Sequence, residues 1–376
     1  MKFAIRPSPF LAIAILTTFT TPVLHGQAAT TIGGYGEIHY ANSNRPGARG
    51  EGNVKRFVLY FAHSFSERIT FRSELEVEDA KVAGGERGGE VALEQAYLDF
   101  RLGDRATMRA GLVLVPMGIL NETHEPPTFN GVARADYHSL IIPTTWREIG
   151  VGVTGTVPGA TGLAYRIYLV NGLLAEGFTA EKGIRGGRQE GREASFANPS
   201  LTGRLEYARP GLKIGAAAYY GGTANGDPRL GTGAFSAPVA MVAADARFDT
   251  GPWAFRAEAA VTHLGNAAAI GAAFGEAVGS RMTGWYGEAA YNLLHLVSQS
   301  SGAKLNGFVR YERLSTQAAV PAGVIADQAF ARRIATVGLT WKPIPDVAIK
   351  GDYQLRRNRA KAGQDDIVRL GVGYEF

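Results

Sequence analysis

The 376 residues contain no cysteine. A disulfide framework, a thiolate zinc centre and a cysteine nucleophile are therefore excluded. No apolar run reaches the roughly 20 residues that a helix needs to cross a bilayer. If this chain enters a membrane, it does so with strands. The net charge is +5 and the pI about 9.3, but there is no run of Lys and Arg. Basic residues are spread along the chain and sit near acidic ones, so no nucleic-acid partner is expected. G-x-S-x-G, Walker A and H-E-x-x-H sequences are missing too. Gly150-Val151-Gly152-Val153-Thr154-Gly155 matches G-x-G-x-x-G, but Val157-Pro158-Gly159 follows it. A turn there replaces the helix whose N-terminus a dinucleotide requires. His39, His63, His124, His138, His263 and His295 are scattered without ligand spacing. No catalytic, cofactor or metal set is assigned.

What is present begins with an export signature. Lys2 and Arg6 precede the apolar run Phe10 to Phe19, and small residues follow around Gly26 to Ala29. That is the order of a secretory signal. The expected division is a signal peptide over 1–28 and one domain over 29–376.

The remaining chain shows strand after strand of period-two alternation. Ile69, Phe71, Leu75 and Val77 share one face of their segment, and Thr70, Arg72, Glu74, Glu76 and Glu78 share the other. The spacing predicts sixteen strands, at 31–40, 55–63, 69–78, 91–102, 106–117, 145–156, 163–170, 201–208, 212–220, 239–248, 253–263, 282–293, 304–314, 333–341, 347–357 and 365–376. Short turns alternate with long polar or Gly-rich connections, as in an outer-membrane barrel. No helix-period segment competes. The fold class is all-β, a transmembrane antiparallel barrel of about 16 strands. The connection 118–144 is long enough to serve as an inward-folded constriction loop, and a barrel this size leaves an aqueous channel.

A soluble β-sandwich binding protein is the competing reading of the same alternation. Dense charge of both signs on the polar faces argues against it. So do aromatics at strand ends, among them Tyr35, Tyr219, Trp253, Trp285 and Trp341, which suit a lipid–water boundary. A further alternative is an outer-membrane barrel enzyme of esterase or protease type. His124 and His138, in one loop, are the pair to follow for it.

Several segments resemble the phosphate-selective porin O and P family. They are Gly34-Tyr35-Gly36-Glu37, Leu93-Glu94-Gln95-Ala96-Tyr97-Leu98-Asp99-Phe100, Ile142 through Gly150, Val170-Asn171-Gly172 and Gly183 through Arg188. The resemblance spans most of the chain after the leader. It implies a homotrimeric, 16-stranded porin in the bacterial outer membrane, embedded in lipid, passing small anions or other small polar solutes. The pore-lining candidates are Arg56, Arg72, Arg109, Arg166, Arg204, Arg256, Arg310, Lys350 and Arg356. Acidic residues nearly balance them, which argues for salt-bridged walls over an anion ladder. The constriction-loop candidates are Glu122, Glu125, Arg134 and Asp136, a more acidic set than phosphate selectivity suggests.

Overall fold

The computed structural model describes residues 29–80, 89–297 and 302–376. The expected signal peptide, 1–28, lies outside them. The described chain forms sixteen strands: β1 (Thr30–Ser43), β2 (Glu51–Ser64), β3 (Ile69–Glu78), β4 (Val91–Arg101), β5 (Ala106–Leu114), β6 (Arg147–Thr156), β7 (Leu163–Asn171), β8 (Pro199–Arg209), β9 (Leu212–Gly221), β10 (Val239–Thr250), β11 (Trp253–Leu264), β12 (Arg281–Asn292), β13 (Lys304–Ala319), β14 (Ala331–Ile344), β15 (Val347–Asn358) and β16 (Asp365–Glu375). Each pairs antiparallel with its chain neighbours, and β1 closes on β16 from Tyr35↔Glu375 to Ser43↔Ile367. The result is a closed 16-stranded barrel, so no sheet edge is left unpaired. A sandwich of two packed sheets is ruled out by that closure.

Alternation decides which side faces in. Along β13, Phe308, Arg310, Glu312 and Leu314 are buried inside, while Val309 (58% exposed) and Tyr311 point out. Leu201, Val242, Val337, Leu339, Leu370 and Val372 extend the same exposed apolar band around the barrel. Such a band is the hydrocarbon-facing surface of a membrane barrel. Trp253 stacks on Phe255 at 5.7 Å and meets Tyr291 at 4.8 Å, forming part of an aromatic girdle at the short-turn rim.

Three sequence expectations need correction. Tyr35 and Tyr219 are not girdle residues. They point inward and are fully buried, Tyr35 against Tyr60 and His124, Tyr219 against Trp146. Strand-end position alone does not reveal the face. Several strands also run past the predicted ends; β13 continues through Ser315 to Ala319, paired to β12. Beyond the apolar band both faces are polar, so alternation vanishes while the hydrogen-bond ladder persists. Finally, the connection after β11 contains an eight-residue helix, Ala267–Phe274. Its alanine-rich sequence carries little periodic signal.

A hydrophobic core lies within the barrel toward the long-loop rim. Loop residues Leu173, Phe178, Ile184, Ile270 and Val278 pack there with Met241 and Met282 of the wall.

Candidate functional site

The feature most able to control passage is the third long loop, residues 115–146. It folds into the barrel, and most of it is buried. Pro126 and Pro127 begin a 3-10 turn, and Tyr137–Leu140 form a single helical turn. Neither can satisfy its own backbone groups, and the barrel wall does so instead. Wall carboxylates accept loop N–H groups: Glu258 from Ile119 (3.2 Å), Asp352 from Val132 (2.6 Å) and Glu312 from Tyr137 (2.9 Å). Wall cations donate to loop carbonyls: Lys350 to Pro126 (2.7 Å) and Phe129 (2.9 Å), Arg256 to Thr128 (2.7 Å), and Arg310 to Asn130 (2.6 Å). These charge-assisted bonds are the stronger kind. Small residues let the loop approach: a Cβ added at Gly371 would stand 2.8 Å from Val132, and one at Gly373 would collide with Pro126.

The loop divides the predicted constriction residues between its two sides. Glu122 and Glu125 face the short-turn side, where Arg166 pairs with Glu122 at 3.2 Å and Tyr60 donates to Glu125 at 3.2 Å. Arg134 and Asp136 face the long-loop side. Asp136 pairs with Arg356 at 2.5 Å. Arg134 donates to the His124 carbonyl at 3.1 Å and has no ion pair among the described residues. These four do not meet in one ring.

The wall candidates also separate by role. Arg56 pairs with Glu37 and Glu76, Arg109 with Asp99, Arg204 with Glu206 and Asp245, and Arg310 with Glu288. Arg256, Arg310 and Lys350 hold the loop, as above. Arg72 is exposed in the lumen, without an ion pair among the described residues.

Three of the segments that carry the O and P resemblance, Ile142 through Gly150, Val170 through Gly172 and Gly183 through Arg188, converge where this loop meets the next. Glu148 accepts from Trp146 Nε1 (3.2 Å), Asn171 Nδ2 (2.6 Å) and Gln189 N (3.3 Å). Arg185 donates to the Thr144 carbonyl at 2.5 Å and Arg188 to that of Thr145 at 2.9 Å. Arg185 and Arg188 thereby join Arg134 and Arg147 around a cleft of about 400 Å³ on the long-loop side. Glu190 pairs with Arg147 and Arg188, but Arg185 has no ion pair among the described residues. Burial, reinforced by Arg188, pulls the Arg185 guanidinium down to about 10, while Glu37, Glu76, Glu78 and Glu90 also line the cleft, so charge of both signs meets there.

Two histidines of the loop go to opposite walls. Nε2 of His124 lies 3.1 Å from Glu94 and 3.4 Å from Glu74. Burial opposes charge on His124, but Glu94 and Glu74 outweigh it and raise its pKa to about 10. His138 packs between Tyr137 and Tyr286, with Glu258 3.7 Å away. Burial, helped by Arg310, Arg134 and Arg256, holds its pKa well below the usual value. Among the described residues no hydroxyl side chain hydrogen-bonds to either ring, and the two histidines considered for hydrolysis are not brought together. Sequence reading missed the role of Glu94. A β-bulge opposite Glu74 and Leu75 turns both Glu94 and Gln95 inward, and a bulge leaves no periodic trace.

No family model matches the sequence. An uncharacterized protein of Aquifex aeolicus (strain VF5) is 35% identical over 380 residues, covering 99% of this chain and 86% of that protein. Among solved structures, OmpF of Salmonella typhi, solved in complex with daunomycin, matches with a TM-score of 0.61 at 15% identity. It covers 92% of this chain and 97% of that one. The anion-selective porin from Comamonas acidovorans matches at 0.57 and 11%, over 93% and 100%. OmpT, an outer membrane protein of Vibrio cholerae, matches at 0.55 and 9%, over 94% and 99%. At these identities, what is shared is the 16-stranded fold.

Proposed function

This chain belongs to one family with the Aquifex aeolicus protein, and from that premise and its barrel we propose that it is a diffusion porin of the bacterial outer membrane. Residues 1–28 direct its export, and three copies assemble in lipid. The observation that carries this reading is the inward loop. Wall charges on several strands clamp residues 115–146 across the lumen of a closed barrel with an apolar exterior. That arrangement narrows a water-filled passage without closing the barrel itself. Small hydrophilic solutes and ions pass down their gradients.

The finer reading is a preference for anions, phosphate among them, as the O and P resemblance implies. The acids Glu122 and Asp136 are paired with Arg166 and Arg356, whereas Arg134 and Arg185, without an ion pair among the described residues, present guanidinium groups at a cleft that also carries Glu37, Glu76, Glu78 and Glu90. Guanidinium forks suit phosphate oxygens.

Planar-bilayer recording tests both levels. Purified protein gives stepwise conductance, and a preparation of folded protein giving no steps overturns the porin reading. Across a KCl gradient the reversal potential takes the sign of chloride preference, and phosphate added at constant chloride lowers the chloride current by competition. Arg134→Glu reduces the anion-to-cation permeability ratio several-fold. A cation-selective wild type leaves the channel standing and removes the anion preference.

A further inference from the structure

Three donor atoms converge at one buried point of the wall between β3 and β4. They are Nε2 of His124, Oε2 of Glu94 at 3.1 Å from it and Oε1 of Glu74 at 3.4 Å. All three lie within 4.8 Å of one another. Glu94 is completely buried, and Glu74 and His124 are 2% exposed. The bulge in β4 brings Glu94 beside Glu74, and the inward loop then lays His124 over both.

The surroundings orient these donors. Nδ1 of His124 lies 3.2 Å from the Asn121 carbonyl oxygen. An oxygen there can only accept, so Nδ1 carries hydrogen and Nε2 is left facing the carboxylates. Gln95 Nε2 donates to Glu74 Oε2 at 2.6 Å, and the Tyr35 hydroxyl donates to Glu94 Oε2 at 3.4 Å. Metal-binding histidines and carboxylates are commonly held by such outer contacts.

A second observation points to a missing cation. Oε1 of Glu74, one of the three converging atoms, is buried and has no hydrogen-bond partner. Buried carboxylate oxygens are costly to leave unbonded. With hydrogen on Nε2, His124 is directed at Glu94 Oε2 and leaves Glu74 Oε1 without a donor. A metal ion taking the place of that proton is bonded by both facing oxygens and balances two carboxylates with two charges.

We propose that Glu74, Glu94 and His124 bind a divalent transition-metal ion that pins the start of the inward loop to the barrel wall. One imidazole nitrogen with two carboxylate oxygens favours ions of the zinc type over calcium and magnesium. Tetrahedral zinc, with ligands at about 2.0–2.2 Å, places its ligand atoms about 3.3–3.6 Å apart. The separation from Nε2 to Glu74 falls within that range, and the one to Glu94 is shorter than its lower end. The fourth position falls to water. The site stands whether or not the barrel conducts.

The test uses full-length protein from cells grown with ZnCl2, extracted in detergent and dialysed to remove loose metal. Elemental analysis then gives about one zinc per chain in the wild type, and the same in His63→Gln, which alters a histidine at the short-turn rim. His124→Gln and Glu94→Gln lower the content at least ten-fold. A wild type without zinc, or either variant retaining it, overturns the site. Should the variants fail to fold, Co2+ loaded into wild-type protein decides the matter. Intense visible bands of a four-coordinate ion support the site, whereas the weak spectrum of six-coordinate cobalt, or no uptake, overturns it.

Discussion

The backbone N–H of Val132 donates to Oδ2 of Asp352 at 2.6 Å, while Oδ1 of the same carboxylate accepts from Arg369 Nε at 2.9 Å. One buried side chain thus ties the inward loop to β15 and to the barrel seam beside β16. Asp352→Asn removes the carboxylate charge from both bonds and leaves Arg369 without its anion. The expected loss is about 1.5–3 kcal/mol of stability, read as a lower unfolding midpoint in detergent, together with noisier single-channel currents as the loop loosens. Wild-type noise and midpoint would remove the tether from the account.

Gly373 tests the packing beneath the same loop. A Cβ there meets Pro126, so Gly373→Val must displace the loop or strain the strand. The expected cost is about 1–3 kcal/mol. Gly287 has nothing within 4 Å of an added Cβ, and Gly287→Ala should stay within about 0.5 kcal/mol. Thermal unfolding of the two variants side by side measures the contrast.

Val337 tests which face meets lipid. It lies midway along β14, 51% exposed, while its neighbour Thr336 is buried toward the lumen. Val337→Arg should cost about 2–4 kcal/mol, as an arginine does at the bilayer midplane. Equilibrium folding into phospholipid vesicles is the measurement. An unchanged folding free energy would contradict the assignment of the outer face.

His138 predicts an acid sensitivity. Its pKa is depressed in the folded protein, so below the ordinary value near 6.5 only the unfolded chain gains that proton. Stability from this group is intact above about pH 6.5 and is lost as the pH falls, by at most about 1.4 kcal/mol per pH unit. The groups facing the ring are Glu258, Tyr137 and Tyr286, with Arg310, Arg134 and Arg256 acting from further off. His138→Phe keeps a planar ring and removes the titration. Its unfolding midpoint should fall less steeply between pH 7 and 5 than that of the wild type. Parallel curves would place the acid response elsewhere.

Sequence alone was enough for the number, order and sidedness of the strands. A strand crossing from water through hydrocarbon to water must alternate at every residue, and segments such as Ile69–Glu78 carry that requirement openly. It was also enough to single out residues 118–144, because so long a connection in a barrel needs somewhere to go. Only the tertiary structure decided what the charges do. Arg256, Arg310 and Lys350 read as pore lining, but they bind loop backbone groups that no side-chain pattern announces. The meeting of Glu74, Glu94 and His124 depended on a one-residue bulge and on the loop's path. Period-two reading senses which face a residue takes. It does not sense where the register slips, or what crosses the lumen to meet the wall.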